Sequence, residues 1–483
     1  MMLLLCMAVF LPMAAGLIGL ALPFPTEASR RWYHCVLIAA TAALAWVAVL
    51  RLGGETFTLF RFSPGLAFAF RLDGAGRLFA ALAAALWPFT TVYALDYMDH
   101  EGHPAVFWGF FTAAFGITLG IAFAADLLTM YVFYELLTLA TIPLVMHAMT
   151  RTAIQAGIRY MVYSLSGAAL GFIGLVYLLR AGAQDFVAGG HGDLLAGGGT
   201  LLTAVFAVSF VGFAVKAAIW PLHGWLPAAA VAPTPVTALL HAVAVVKAGA
   251  FACLRLTWYN FGPEVLQGTW AQYAVMALAA VTVLYGSGMA LKERHFKRRL
   301  AYSTIANLSY ILFAVTIMTA EGMAAALLHL VAHSVAKIMA FFCAGAVLHY
   351  GHREQVAELE GLGRAMPVTF GCFAVAAFAL TGIPPFNGFV SKWYIGLAAV
   401  HSGGALALAG FGAVLISALL TAIYLFQIVI AAFFPQVDHP LPEGAREAPW
   451  RMLVPMVLLA ALCLAMGLLP GGLLGFIREA VAV

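Results

Sequence analysis

Apolar and polar residues alternate along this chain on a long scale: runs of about 20 apolar residues, bounded by short stretches rich in Gly, Pro and charge, recur throughout. Such a run crosses a ~30 Å hydrocarbon core as an α-helix, and with no water there to satisfy the backbone a helix is the form it must take. The pattern predicts fourteen of them, centred near residues 12, 43, 85, 114, 136, 169, 209, 247, 279, 308, 336, 380, 420 and 462. The opening "MMLLLCMAVFLPMAAGLIGLALP" has no positive leading region, so it reads as the first spanning helix rather than a cleaved signal. The expected fold class is all-α, a polytopic membrane protein in a single membrane domain.

Composition agrees, since 64% of the residues are hydrophobic and only 9% charged, where a soluble domain carries roughly a quarter charged. Six scattered cysteines form no CxxC pair, so they read as packing residues, and no metal or cofactor is expected in the chain. Basic residues in the connecting segments set the orientation. With the first helix starting outside, thirteen fall in inner segments, among them Lys297 and Arg299, and seven in outer ones, among them Arg61, Arg71 and Arg255. That bias puts both termini outside, and it accounts for the net charge of +4 without nucleic acid.

The other four basic residues are lysines inside apolar runs: Lys216, Lys247, Lys337 and Lys392, out of six lysines in all. Each costs ~2.5–3.5 kcal/mol on insertion scales. Glu135 in "LLTMYVFYELLTLATIPLV" is the one carboxylate near the middle of a predicted span, and Asp126 is placed to cap that helix. In "LLHLVAHSVAKIMAFFCAGAV" His329, His333 and Lys337 recur every four residues, which stacks them on one helical stripe. His241 lies in another apolar run. The plain alternatives are packing for His241 and His329 and a structural ion pair for Lys216 with Glu135. Four lysines cannot all be paired with one acid, and buried amines that lose and regain a proton are the material of a proton relay. The "HLVAH" stripe lacks the Glu of a zinc-binding helix, which argues against metal.

Two apolar segments are interrupted alike. Lys216 is followed by Pro221, Pro227, Pro233 and Pro235, and Lys392 follows a break at Gly382, Pro384, Pro385 and Gly388. Prolines break the helix, and such breaks belong in a protein interior or a wet cavity. Taking 1–104 as three N-terminal helices, 105–258 and 268–434 as two five-helix sets and 450–483 as a C-terminal helix, the broken helix is fourth in each set. An odd helix count inverts the second set relative to the first, the hint of an inverted-repeat transporter.

The segments "YALDYM", "FYELLTLAT", "AVKAAIWPLHGWLPAA", "APTPVTALLHAVAVVKAG", "FKRRLAYSTIANLSYI", "LLHLVAHSVAKIMAFF" and "LTGIPPFNGFVSKWY" resemble, in this order, the antiporter-like membrane subunits shared by respiratory complex I, membrane-bound hydrogenases and multisubunit (Mrp-type) cation/proton antiporters. The resemblance covers about residues 90 to 470. It implies that Glu135 and Lys216 are the family's ion pair, Lys247 its central lysine, Lys337 with His333 the next relay element and Lys392 the final group. It implies a proton-translocating subunit without a redox centre of its own, working beside other membrane subunits and a peripheral redox module in a prokaryotic inner membrane. The alternatives are a subunit of a Na⁺(K⁺)/H⁺ antiporter and an inert scaffold. The chain departs from the family pattern in its tenth helix, where His295 and Ala306-Asn307 replace an Asp and a Ser-His pair; the resemblance therefore does not extend to proton uptake through that helix. Lacking the long lateral helix of the largest members, the chain is expected to resemble the shorter ones.

Overall fold

The computed structural model describes residues 2–51, 53–63, 66–435 and 444–481. Sixteen helices carry the fold: α1 Met2–Ala21, α2 Glu27–Arg51, α3 Gly74–Tyr97, α4 Pro104–Phe123, α5 Leu127–Val145, α6 Arg151–Ala181, α7 Gly199–Lys216, α8 Thr234–Phe261, α9 Trp270–Lys292, α10 Phe296–Thr316, α11 Ala320–Gly351, α12 Pro367–Thr381, α13 Asn387–His401, α14 Ala405–Phe433, α15 Trp450–Leu468 and α16 Gly471–Val481. Twelve of these are long and apolar enough to cross a membrane. Against the fourteen expected, α10 begins with the charged "FKRR", and the α12–α13 pair is one broken segment. The C-terminal stretch from 450 is two helices rather than one, because Pro470 follows the end of α15.

Helix starts follow local chemistry. Asp126 caps α5 as expected, its Oδ1 accepting from Thr129 N at 2.7 Å, and Thr150, Thr269 and Thr319 do the same for α6, α9 and α11. α8 is buried along its whole length and α11 along its apolar middle, which is where helices apolar on every side belong. These two carry His241, Lys247, His329, His333 and Lys337.

The all-α expectation needs one amendment. Strands β1 Thr56–Ser63 and β2 Leu66–Arg71 form an antiparallel hairpin, Thr56 opposite Arg71 and Ser63 opposite Leu66. The alternating, aromatic-rich "TFTLFRFS" favours strand over helix. Ala69 fastens the hairpin to the α4–α5 turn, its N–H donating to Thr129 Oγ1 at 3.1 Å and its carbonyl accepting from Ala125 N at 3.0 Å.

Contacts between acidic and basic side chains at the helix ends sort the connecting segments onto two ends of the bundle. Glu321 meets His401 at 2.8 Å at one end, and Asp96 meets Arg451 at 3.1 Å and His295 meets Glu354 at 3.5 Å at the other. Three residues counted as loop charges are instead buried. Arg255, on α8, makes a two-pronged pair with Asp73 at 2.5 and 2.6 Å and lies among the rings of Phe186, Phe251 and Tyr259. Lys297 donates to Ala232 O at 2.6 Å, and Arg299 to Tyr424 O at 3.0 Å.

Burial alone would raise the Asp73 carboxyl, but the Arg255 guanidinium and the bond from Gly76 N hold it below its ordinary 3.8. A depressed carboxylate stabilises the fold fully above that ordinary value and loses the contribution as pH falls through the lower folded one. Asp73→Asn, which strands a buried guanidinium, is expected to cost about 3 kcal/mol. Thermal unfolding in detergent at neutral pH is expected to show a lower midpoint, and to recover much of it in the all-apolar double variant Asp73→Leu with Arg255→Met. An unchanged midpoint for Asp73→Asn would show the pair contributes nothing.

Candidate functional site

The site begins where α7 stops. Its last residue, Lys216, is fully buried. Lys216 Nζ donates to Tyr134 O at 2.6 Å, sits 3.3 Å from the centre of the Tyr134 ring and is 3.6 Å from Glu135 Oε1. Glu135 is thus within ion-pair reach but not locked, and its side chain keeps 20% of its exposure. α8 packs closely on this end of α7: a Cβ at Gly249 would lie 2.6 Å from Ala217 N.

Lys247 stands at the start of a restarted helix. α8 is interrupted at Val243 and Ala244, with Lys247 in the first turn after the break. Its Nζ is hydrogen-bonded to Nδ1 of His333 on α11, which brings together two helices at a point where both carry charge-bearing groups. An ammonium donating there requires a neutral imidazole with its proton on Nε2. One turn further along α11, Lys337 Nζ donates to Ser303 Oγ of α10 at 2.7 Å and to Leu300 O at 3.4 Å. One turn back, His329 Nδ1 bonds Ser391 Oγ of α13 at 2.9 Å, and its ring lies 6.1 Å from that of His333 in a stacked arrangement. The stripe read from the sequence is therefore a real face of α11, and it meets α8, α10 and α13 at three successive turns.

The break between α12 and α13 carries the far end. A Cβ on Gly388 would lie 1.7 Å from Ala379 O, so glycine there lets the two half-helices overlap. Lys392 Nζ donates to Leu380 O at 2.7 Å and Thr381 O at 2.8 Å, carbonyls that the ended helix leaves open.

His241 is brought least into the row. It is buried against the Phe341 ring at 4.7 Å, and neither of its ring nitrogens finds a hydrogen-bond partner among the described residues. The Nε2 atoms of His329 and His333 are likewise unpartnered among the described residues. The contacts of Ser303, Ser391 and Tyr134 were missed from the sequence. For Ser303 and Ser391 a faint signal existed, as each is a hydroxyl within or beside a segment already notable for its charge.

Residues 124–421 match the NADH:quinone oxidoreductase/Mrp antiporter transmembrane family. The N subunit of the NADH-quinone oxidoreductase of Desulforudis audaxviator is 34% identical over 78% of this chain and 77% of its own length. A protein of Rhizobium meliloti described as a probable K⁺/H⁺ antiporter component is 30% identical over 99% of this chain, which spans only 48% of that protein's length. In fold, the chain is similar to one in the membrane-bound sulfane sulfur reductase, an archaeal respiratory membrane complex, with a TM-score of 0.86 at 23% identity over 99% of this chain and 97% of that one. With 62% of its length matched by the family and the buried lysines falling inside that match, the chain belongs to the NADH:quinone oxidoreductase/Mrp antiporter family of membrane subunits.

Proposed function

We propose that this chain moves protons through the membrane as an antiporter-like subunit of a multisubunit complex, coupled to a partner that carries the redox chemistry. The observation that carries the reading is the row of four buried lysines, each within bonding distance of a group on a different helix, from Glu135 and Lys216 to Lys392. An amine in low dielectric releases its proton when its counter-charge leaves and regains it when the counter-charge returns. The pair of Glu135 with Lys216 is the switch on this reading. The five-helix sets at 105–258 and 268–434, inverted relative to each other, would supply one half-channel to each side, with His241, His333 and His329 assisting transfer between them. The chain would hold no cofactor, sit in a prokaryotic cytoplasmic membrane with both termini outside, and contact other membrane subunits and a peripheral redox module.

A second reading, a K⁺(Na⁺)/H⁺ antiporter subunit without redox chemistry, is supported by the antiporter relative that aligns along 99% of the chain. The chemistry of the row favours protons. A dehydrated alkali cation wants several oxygens at short range, while the row offers one carboxylate among four amines that repel a cation when protonated. The test is transport by the purified complex in vesicles with Na⁺ and K⁺ replaced by a large impermeant cation. Proton movement driven by the partner's redox reaction is expected to persist. Movement that stops until Na⁺ or K⁺ is restored, and then responds to Glu135→Gln, would establish the antiporter.

A further inference from the structure

At the end of the bundle that carries His295 and Glu354, a cavity of about 840 Å³ opens between the turn from α9 to α10, the segment joining α11 to α12 and the end of α14. Its walls differ in chemistry. Arg294 and Arg299 stand on the first, Glu358 and Glu360 on the second, and Ile430 and Phe434 on the third. The third wall continues an exposed apolar stripe of α14: Leu419, Ile423, Ile430 and Phe434 are all exposed and recur at spacings of four and seven, on one helical face.

Arg299 is built into its wall. The side chain belongs to a residue only 4% exposed, its Nε donates to Glu293 O at 2.9 Å, and its Nη1 donates to Tyr424 O and Gln427 Oε1, each at 3.0 Å. A guanidinium has five N–H donors, and those on Nη2 have no acceptor among the described residues. The fork is thus fixed in place with one edge left for an oxygen. Arg294 is exposed, and its side chain makes no hydrogen bond or ion pair among the described residues. Glu358 Oε2 accepts from Gln355 N at 3.0 Å in a capping box, while Oε1 has no partner among the described residues. Glu360 has a partner of its own. The local ion pair is Arg298 with Glu293 at 3.3 Å, and none joins Arg294 or Arg299 to Glu358 among the described residues.

Charged groups at helix ends are ordinarily solvated and need no ligand. A guanidinium buried, anchored through three hydrogen bonds and open along one edge is of another kind, and its fork matches phosphate oxygens. We propose that this cavity holds the headgroup of an ethanolamine phospholipid, with the phosphodiester on Arg299 and Arg294, the ammonium toward Glu358 and the acyl chains along Ile430, Ile423 and Leu419. Basic pockets beside spanning helices take phospholipid headgroups. Two glutamates balance the two arginines here, which favours a zwitterion over an anionic lipid. Free phosphate would leave the carboxylate wall and the apolar stripe without a counterpart. The volume lies within the range of about 300–1,000 Å³ usual for small-ligand sites. The bound lipid ties α10, α14 and the segment between α11 and α12 together. The inference stands on the chain's place in a membrane and is independent of what the chain transports.

The test uses the whole complex, purified through a tag on this chain and reconstituted in phosphatidylcholine vesicles. The methylated ammonium of that lipid cannot donate to a carboxylate. A trace of phosphatidylethanolamine carrying a diazirine on its acyl chain near the glycerol is the probe; light fixes it to what it touches, and mass spectrometry of the peptides locates it. The peptide bearing Ile430 and Phe434 is expected to be labelled well above the exposed stretch of α6 around Phe172 and Val176. Arg294→Ala, at an exposed position, is expected to lower that labelling about tenfold, the effect of one lost charge-assisted hydrogen bond, and to leave α6 unchanged. Unlabelled phosphatidylethanolamine is expected to displace the probe better than phosphatidylglycerol does. Glu358→Gln, which keeps the capping oxygen and removes the charge, is expected to abolish that preference. Labelling at Ile430 and Phe434 that only matches α6, or that ignores both substitutions, would show ordinary bilayer contact or a neighbouring subunit seated there and overturn the proposal. Equal displacement by phosphatidylglycerol in the unaltered chain, or displacement by inorganic phosphate, would overturn it too, in favour of an anionic lipid or a free anion.

Discussion

Lys216→Met, and separately Glu135→Gln, are expected to leave the complex assembled and to lower proton movement through this subunit at least tenfold, about 1.4 kcal/mol in barrier height. The geometry explains why a single atom group matters so much. Lys216 Nζ is held by Tyr134 O and the Tyr134 ring, both fixed, and by Glu135 Oε1 at 3.6 Å, which is attractive without being a closed hydrogen bond. On the proposed reading, an approaching carboxylate favours the ammonium, and its withdrawal lets the buried amine release its proton. Methionine fills the space of Lys216 and has nothing to protonate, and glutamine keeps the shape of Glu135 without the charge that moves the equilibrium. The measurement is acidification of reconstituted vesicles per assembled complex. A structural ion pair gives a different result, because breaking it strands a buried charge: yield falls, while each surviving complex pumps at the normal rate. The two readings are thus separated by dividing rate by yield. The double variant is expected to be no slower than the worse single one, since both act in one step.

Much of this arrangement was legible in the chain, and the parts that were not have physical reasons. Long apolar runs announce themselves because the bilayer permits few alternatives to a helix, and a lysine inside one stands out because its presence is costly. The stripe of His329, His333 and Lys337 was readable from a spacing of four, and the structure meets it with Lys247, Ser303 and Ser391 at successive turns. The broken helices were readable from their prolines. The interruption of α8 at Val243 and Ala244 was not, since "HAVAVVKAG" has neither Pro nor Gly at the break. Arg255 was counted with the loops for want of any local sign of its partner, Asp73, which lies 182 residues away. The hairpin was passed over because two short strands at the end of a bundle look like a connecting loop when only runs of helical length are sought. Hydroxyls such as Ser303 are the hardest to find: Ser, Thr and Tyr are common in membrane helices, and only the bond from Lys337 distinguishes this one from the rest.

Lys337→Ala is expected to be the most damaging single change on α11, costing proton movement at least tenfold, with His333→Ala intermediate and His329→Ala mildest. The order follows from what each group connects. Lys337 is bonded to Ser303 of α10 at 2.7 Å, one turn from the point where His333 meets Lys247. Like charges buried in a low dielectric repel, so an ammonium at Lys337 disfavours one at Lys247. On the proposed reading, removing the lysine takes away both a carrier and the repulsion that pushes the neighbouring proton onward. His333 touches Lys247 directly, as a single hydrogen-bonding link. His329 reaches Ser391, and a bridging water can stand in for one histidine. The measurement is again vesicle acidification per assembled complex, on the three single variants and on Lys337→Arg. Arginine keeps the charge but does not release it near neutral pH, so that variant is expected to assemble normally and to stay as inactive as the alanine. Equal and negligible effects of all three alanine variants would show that the stripe only packs α11 against its neighbours, and an active Lys337→Arg would show that its charge matters and its proton does not.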